Sequence, residues 1–279
     1  MSNKVKKITP IQALLNLIVS LFTISCVFPI IWMTYTSLKS GKEYQENILS
    51  LPSSINFENY VQVMRNANFG QYFYNSFIVS LLTLTLVLIL ASITGYFLSR
   101  FKFKGRKSIY AFFMLGLVVP THAWLLPMFI QFNNLGILDK RVTLVLPYIT
   151  FAMPTAIFLL ESFIQSIPIE MEESASIEGC GVWQSLWKII LPLCKPMLAT
   201  VLILTFNTSW NEFPFALVLI TKDSLKTVPV ALSMFTGTYT TNYPQLVTAL
   251  VISIIPVVVF YALFSKKIME GMVAGAVKG

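Results

Sequence analysis

The stretch between residues 197 and 220 is mostly apolar, and four of its polar side chains are spaced as two pairs. Asn207 and Asn211 are four residues apart, and so are Thr208 and Glu212, which on a helix gives two adjoining rows on one face. Their amide, hydroxyl and carboxylate groups can hydrogen-bond a polar solute. Polar groups inside the membrane tend to face a bundle interior or a watery cavity. The pattern predicts a polar path for a solute, and a polar contact between two subunits is the alternative.

Aromatic side chains accompany this polar face. Trp210, Phe213 and Phe215 could offer flat faces to a ligand ring, or they could equally meet lipid. His122, the only histidine, follows Pro120, where we expect a helix kink. His122 is a candidate to hydrogen-bond a solute, and a contact between helices is its alternative role.

Several kinds of chemistry are excluded by what the sequence lacks. No nucleophile–base set stands out, and no G-x-x-x-x-G-K-[ST] loop is present to bind ATP. The three cysteines, Cys26, Cys180 and Cys194, form no CxxC pair, which disfavours a zinc site or a disulfide framework. We therefore predict a chain that is not an enzyme and has no catalytic residue, metal or cofactor of its own.

The composition indicates a membrane protein. Of 279 residues, 56% are hydrophobic and 11% are charged, whereas a soluble domain carries about 25% charged residues. A spanning helix needs roughly 20 mostly apolar residues. Six stretches qualify and predict an all-α membrane protein with six transmembrane helices: Ile11–Leu38, Tyr72–Leu98, Ser108–Phe132, Val142–Ile164, Met197–Ile220 and Tyr243–Phe264.

Basic residues predict the orientation. The net charge of +8 reflects Lys and Arg in the gaps between apolar stretches, which favours basic loops over nucleic-acid binding. The short segment Arg100–Lys107 alone carries five of them. Because cytoplasmic loops are enriched in Lys and Arg, we expect both termini in the cytoplasm. Counted from Met197, Glu212 would then lie roughly 22 Å from the inner end of its helix, in the outer half of the bilayer.

The most informative hydrophilic segment is Ser166–Pro196, on the predicted cytoplasmic side. Ser166 and Pro168 can start a helix, and three glutamates follow near the positive end of its dipole. Gly179 and Gly181 favour a turn. The second helix carries apolar residues at i, i+3, i+4 and i+7, which are Trp183, Leu186, Trp187 and Ile190. The segment predicts two short helices around a glycine corner.

The same segment resembles the EAA loop of ABC importer permeases. That pattern is E-A-A-x-x-x-G followed, after nine residues, by I-x-L-P. The matching residues of this sequence are Glu173, Ser174, Ala175, Gly179, Ile189, Leu191 and Pro192. Every spacing is met, and Ser174 is the one departure from the motif. A membrane-surface amphipathic loop is the alternative.

Two further segments resemble the sugar-importing subfamily. Tyr96–Arg106 is similar to the turn between its second and third helices. The tail Glu270–Gly279 is similar to the C-terminus of the second permease of maltose-type systems, in which the tail reaches between the ATPase pair. The resemblance assigns that role to Gly275, Ala276, Val277, Lys278 and Gly279. Without the resemblance, a frayed terminus would be expected.

The resemblance implies a type I ABC importer permease with cytoplasmic coupling helices in the bacterial inner membrane. It implies residues 1–71 as an N-terminal helix with an extracytoplasmic loop, 72–264 as the permease core with its loop at 166–196, and 265–279 as a cytoplasmic tail. It also implies four kinds of partner: a second permease, two copies of an ATPase that binds ATP and Mg, an extracytoplasmic solute-binding protein and the bilayer. No nucleic acid is expected.

The expected function is to form half of the path for a carbohydrate, and most simply an oligosaccharide. A polar solute such as glycerol phosphate is the main rival within this family, although no Lys or Arg lies deep in a predicted helix to bind phosphate. An ion-coupled secondary transporter is the alternative from another class. It would be expected to carry paired intramembrane carboxylates, but only Glu212 lies deep in a predicted helix.

Overall fold

The computed structural model describes residues 9–65, 68–235 and 242–276, with side chains as far as Ser265. Within these ranges the regular structure is helical and contains no strand. The α-helices are α1 (Pro10–Thr36), α2 (Gly41–Glu46), α3 (Glu58–Arg65), α4 (Phe69–Arg100), α5 (Arg106–Leu115), α6 (Leu125–Asn134), α7 (Arg141–Ser166), α8 (Glu170–Ile177), α9 (Val182–Gln184), α10 (Leu191–Leu193), α11 (Lys195–Trp210), α12 (Pro214–Leu219), α13 (Val228–Met234) and α14 (Tyr243–Ala276). A 3-10 turn, Thr121–Trp124, precedes α6, and a π-helical turn, Ser185–Ile190, joins α9 to α10.

Four described helices are long and apolar enough to cross a membrane: Pro10–Thr36, Phe69–Arg100, Arg141–Ser166 and Tyr243–Ser265. A fifth crossing results if Val182–Leu193 and Lys195–Trp210, which are bent by 80° at Cys194, are counted together. The sequence-based prediction of a helical membrane protein is confirmed at this level. The last helix also continues beyond the predicted end at Phe264, to Ala276.

The predicted third span, Ser108–Phe132, is not one helix. α5 ends at Leu115, and the next three amides make tight i to i−3 bonds, ending with Val118 N to Leu115 O. Pro120 then has an extended backbone before the 3-10 turn begins. Proline lacks an N–H and disfavours a helical residue before it, so the kink expected at Pro120 is a complete interruption.

The predicted fifth span, Met197–Ile220, is also broken. α11 ends at Trp210, and α12 starts at Pro214 in the first helical position. Proline is favoured at that position because its missing N–H would be unpaired there in any case. Glu212 therefore lies between two helices, and the expected helical Thr208–Glu212 row does not form.

The described residues fall into two compact units. The first comprises those within Met1–Asn68 and Met234–Ser253. Its helix α1 exposes nearly all of its apolar side chains, as suits a helix that faces lipid. After α1, the fully buried Lys39 donates from Nζ to the carbonyl oxygens of Asn47 and Ile48 and to the Ser50 hydroxyl. These bonds satisfy a cation that would otherwise be costly to bury.

The second unit comprises the described residues of Phe69–Ser233 and Ile254–Gly279. Its centre is the pair α4 and α7, which pack through buried aliphatic side chains such as Val87, Ile157 and Leu160. Gly95 permits this approach, because a Cβ atom there would lie 3.2 Å from the Glu161 backbone nitrogen. Phe206 of α11 stacks on Phe260 of α14, with ring centroids 3.9 Å apart.

Candidate functional site

A cavity of about 480 Å³ opens in the second unit between α7, α11, α12 and the 3-10 turn. Aromatic and aliphatic side chains form much of its wall, and polar groups reach it from α7, from α11 and the link after it, and from the 3-10 turn. The polar lining residues are Thr121, His122, Tyr148, Thr155, Thr205, Thr208, Ser209, Asn211 and Glu212. A mostly apolar cavity with a few convergent polar groups is the usual form of a small-molecule site.

Glu212 is fixed at the break between α11 and α12. Its Oε1 accepts from the Phe215 backbone N–H at 2.7 Å, and its Oε2 accepts from the Ala216 backbone N–H at 3.0 Å. The Tyr148 hydroxyl of α7 donates to Oε2 at 2.6 Å. The carboxylate thus caps the free amides at the start of α12 and ties the break to α7.

The other predicted path residues divide into two groups. Thr208, Asn211 and His122 line the cavity together with Glu212, whereas Asn207 does not. The Asn211 Nδ2 donates to Asn207, at 2.9 Å to the carbonyl oxygen and 3.0 Å to Oδ1, so the expected i, i+4 pair forms. Among the described residues, the His122 ring has no hydrogen-bond partner at the cavity wall, and both roles predicted for it stay predictions.

Trp210 does not lie at the cavity, where its predicted role in the solute path would place it. Its side chain is buried and does not line the cavity. Its ring stacks on Phe206, with centroids 5.6 Å apart, and meets Phe73 edge-on at 5.3 Å. Phe213 and Phe215 do line the cavity. The break after Trp210 separates these aromatics, so Trp210 joins the core while the two phenylalanines remain at the cavity wall.

Tyr148, Phe151 and Thr155 are lining residues that sequence analysis missed. They lie on one face of α7 at spacings of three and four residues. That spacing is visible in the sequence, but it does not reveal that this face meets α11 and α12. A polar tyrosine in the middle of a predicted span was the available signal.

The segment between α7 and α11 forms the predicted pair of helices around a glycine corner. α8 begins at Glu170, later than the predicted start at Ser166 or Pro168, because Ile167 is extended. Gly179 adopts φ +87°, a left-handed conformation that favours glycine. After the corner, α9, the π-helical turn and α10 run without a gap to Leu193.

The motif residues of this loop are partly exposed and partly packed. Glu173 and Ser174 face solvent, and the Ser174 hydroxyl donates to the Glu170 carbonyl oxygen of its own helix at 2.8 Å. Ala175 and Leu191 are buried. The remaining motif positions are Gly179, Ile189 and Pro192, of which Pro192 and the glycine corner are exposed.

The four apolar residues predicted to share one face of the second helix separate into two pairs. Leu186 and Ile190 are fully buried in the core, whereas Trp183 and Trp187 are 54% and 48% exposed. The π-helical turn widens the helix at these positions. The Trp183 ring meets Phe97 of α4 edge-on, and Trp187 lines a small pocket beside the same helix, so both half-exposed tryptophans face α4.

Comparison with known proteins decides the family. Residues 88–270 match the family described as binding-protein-dependent transport system inner membrane component. The chain belongs to this family. The matched range contains the loop motif and all the described cavity residues, and it confirms the predicted resemblance to ABC importer permeases.

Curated relatives of this permease span nearly the same length. It is 33% identical to the diacetylchitobiose uptake system permease protein NgcG of Streptomyces coelicolor, over 94% of this chain and 88% of the relative. It is 32% identical to the trehalose transport system permease protein SugB of Mycobacterium tuberculosis, over 91% and 93%. It is 30% identical to the arabinooligosaccharides transport system permease protein AraQ of Bacillus subtilis, over 95% of each.

Solved structures agree with the fold of the permease. A bacterial ABC transporter involved in the import of the acidic polysaccharide alginate contains a chain that is 25% identical, with a TM-score of 0.81 over 92% of this chain and 96% of that one. A second alginate transporter structure, with an oligosaccharide-bound periplasmic protein, gives 17% identity and a TM-score of 0.67. The latter likeness supports the fold alone.

Two predictions on the permease concern its tail and its cysteines. Gly275 and Ala276 form the end of α14, whereas Val277, Lys278 and Gly279 lie outside the described residues. Cys26, Cys180 and Cys194 are free thiols. In the described ranges, no group of three or more His, Cys, Asp or Glu side chains is arranged to hold a metal ion.

Proposed function

We propose that this chain is a permease subunit of an ATP-binding-cassette importer and forms half of the path for a carbohydrate. The family match over residues 88–270 is the observation that carries this proposal. Relatives across its full length are named for diacetylchitobiose, trehalose and arabinooligosaccharides. The first solved neighbour imports an acidic polysaccharide. An oligosaccharide is therefore the favoured solute.

The cavity supports a carbohydrate over an anionic solute. Hydroxyl, amide and carboxylate groups can pair with sugar hydroxyls, while Phe213 and Phe215 present aromatic surface to the apolar faces of sugar rings. None of its described lining residues is Lys or Arg, the side chains that bind phosphate. Glycerol phosphate is correspondingly disfavoured as the solute.

We further propose that six spans cross the bacterial inner membrane with both termini in the cytoplasm. A second permease would complete the path, and a solute-binding protein would deliver the carbohydrate from outside. Two copies of an ATPase, which bind ATP and Mg, would dock on the loop Ser166–Pro196. Ile177 at the end of α8 is 88% exposed, and so large an exposed apolar side chain supports a docking surface on this loop.

The test begins with purification of the chain in a gentle detergent from its native membrane. Recovery of a second permease and an ATPase, with hydrolysis stimulated by a sugar-loaded binding protein, is the expected result. Recovery of this chain alone, without an ATPase, would instead favour the ion-coupled secondary transporter.

A matched pair of proline variants then tests the loop. Gly179→Pro cannot keep φ +87°, since proline fixes φ near −65°, so the corner must change and ATPase docking should be lost. Gly181→Pro is the control, because Gly181 already has φ −76°. Transport by the Gly179→Pro complex at the level of the control would contradict the coupling role.

A further inference from the structure

Arg100, the last residue of α4, contacts the loop that we propose to be moved by the ATPase. Its side chain is only 10% exposed. The Nε donates to Glu172 Oε1 of α8 at 2.5 Å, and one terminal nitrogen donates to the Ile167 carbonyl oxygen at 2.9 Å. Arg100 thus holds both α8 and the short link that connects α7 to α8.

Glu172 receives a second bond from the same helix. The Tyr96 hydroxyl donates to Glu172 Oε2 at 2.7 Å, so each carboxylate oxygen is bonded to α4. Tyr96 and Arg100 are four residues apart and share one face of α4. Tyr96 is 2% exposed, and its ring meets Phe97 and Phe101 edge-on, so its hydroxyl is held in place by the core.

The neighbouring acids of α8 show that this burial is specific. Glu170 and Glu173 occupy the same first turn and are exposed. The positive end of the helix dipole favours all three carboxylates and does not require burial, so the dipole does not explain why Glu172 alone is buried. Of the ion pairs found among the described residues, Arg100–Glu172 is the one that joins α8 to a spanning helix.

The charged pair also lies close to the far side of the loop. Cys194, at the 80° break between α10 and α11, is fully buried in the same hydrophobic cluster as Tyr96, whose hydroxyl bonds to Glu172. The pair therefore sits where α4, α8 and the start of α11 converge. Separating its two charges in this poorly solvated place would be strongly opposed.

We propose that Tyr96, Arg100 and Glu172 form a rigid joint that makes α4 follow α8 when α8 is displaced. This inference rests on the proposed coupling function. The three are positioning residues: they touch neither the solute nor ATP, and they act by fixing one helix to another. Short charge-assisted hydrogen bonds give the joint its stiffness, and the direction of the forked guanidinium fixes its geometry.

The experiment uses the whole complex, reconstituted with its ATPase and binding protein, and measures carbohydrate taken up per ATP hydrolysed. Arg100→Gln and Glu172→Gln should leave assembly and ATP hydrolysis intact but lower uptake per ATP by about tenfold. The charge swap, Arg100→Glu with Glu172→Arg, should restore part of the loss. Glu170→Gln, the exposed acid of the same turn, is the matched control and should behave as wild type.

Two milder variants keep the joint testable if the first variants fail to assemble. Tyr96→Phe keeps the buried ring and removes one bond, and Arg100→Lys keeps the charge but not the fork. The proposed joint would be contradicted if these two variants, and every single-residue variant that assembles, took up carbohydrate per ATP within about twofold of wild type. Failure of the proposed function would give a different result. The wild-type complex would then show no stimulated ATP hydrolysis, or the Gly179→Pro complex would still transport.

Discussion

Glu172 and Glu212 are held in opposite ways within the second unit. Glu172 is paired with the cation of Arg100 and with the Tyr96 hydroxyl. Glu212, at the cavity, is held by the neutral Tyr148 hydroxyl and two backbone N–H groups. The first arrangement joins two helices by charge, and the second closes a break between two helices with dipoles.

This difference predicts that the two contacts respond differently when their helices are displaced. A buried ion pair resists separation because each charge would be left in a poorly solvated place. A carboxylate bonded to neutral donors is easier to disturb, since each donor makes one ordinary bond. We therefore expect the Glu172 end of the unit to be rigid and the Glu212 end to be more adaptable.

The largest effect is expected from Glu172→Ala. It leaves Arg100 buried without its partner and should lower the free energy of unfolding by about 3 to 5 kcal/mol. Thermal unfolding of the purified protein in detergent measures this loss. Glu170→Ala, on the exposed side of the same helix turn, should change stability by no more than about 0.5 kcal/mol. Equal losses in the two variants would remove the distinction between buried and exposed acids.

Glu212→Ala should have a smaller effect. It leaves two amides of α12 and the Tyr148 hydroxyl without their acceptor, which should destabilise the protein by about 2 kcal/mol. Glu212→Gln keeps one acceptor oxygen and should lose less, since the bonded partners are neutral. A Glu212→Gln variant as unstable as Glu172→Ala would show that the Glu212 charge, and not its shape, holds the break.

Gly95→Ala tests the close packing beside the joint. The new Cβ would lie 3.2 Å from the Glu161 backbone nitrogen and 3.3 Å from the Leu160 Cβ. Backbone cannot yield as a flexible side chain can, so α4 and α7 must separate slightly, at a cost of about 1 to 2 kcal/mol. Gly41→Ala, where nothing lies within 4 Å, is the control in the same unfolding assay. Unchanged stability in Gly95→Ala would contradict rigidity at this end.

The smallest effect concerns Asp139, which holds the segment after α12. Burial opposes its ionisation, but bonds from the Thr221 hydroxyl and from the backbone N–H groups of Lys222 and Thr221 lower its pKa below 3.8. Its stabilising contribution is therefore complete above about pH 4 and is lost as pH falls through the lower, folded-state pKa. Asp139→Asn should lose a few degrees of melting temperature near pH 6 and less near pH 3. A loss that does not depend on pH would contradict this assignment.

The helical membrane class and the helix pair around Gly179 were predictable from the sequence. Long apolar stretches must be helical in lipid, since the backbone there has no other hydrogen-bond partner. Local rules also located the kink at Pro120 and the corner at Gly179, because proline and glycine act on the backbone directly. The loop motif predicted the family through fixed spacings, which are a property of the sequence alone.

Tertiary structure alone decided which side chains meet. Glu172 looked like one of three dipole-stabilising acids, and only packing against α4 placed Arg100 and Tyr96 at its carboxylate. Trp210 looked like a path residue, but its ring packs against Phe206 and Phe73 in the core. Helical periodicity fixes which residues share a face, whereas the partner of that face depends on contacts between segments far apart in sequence.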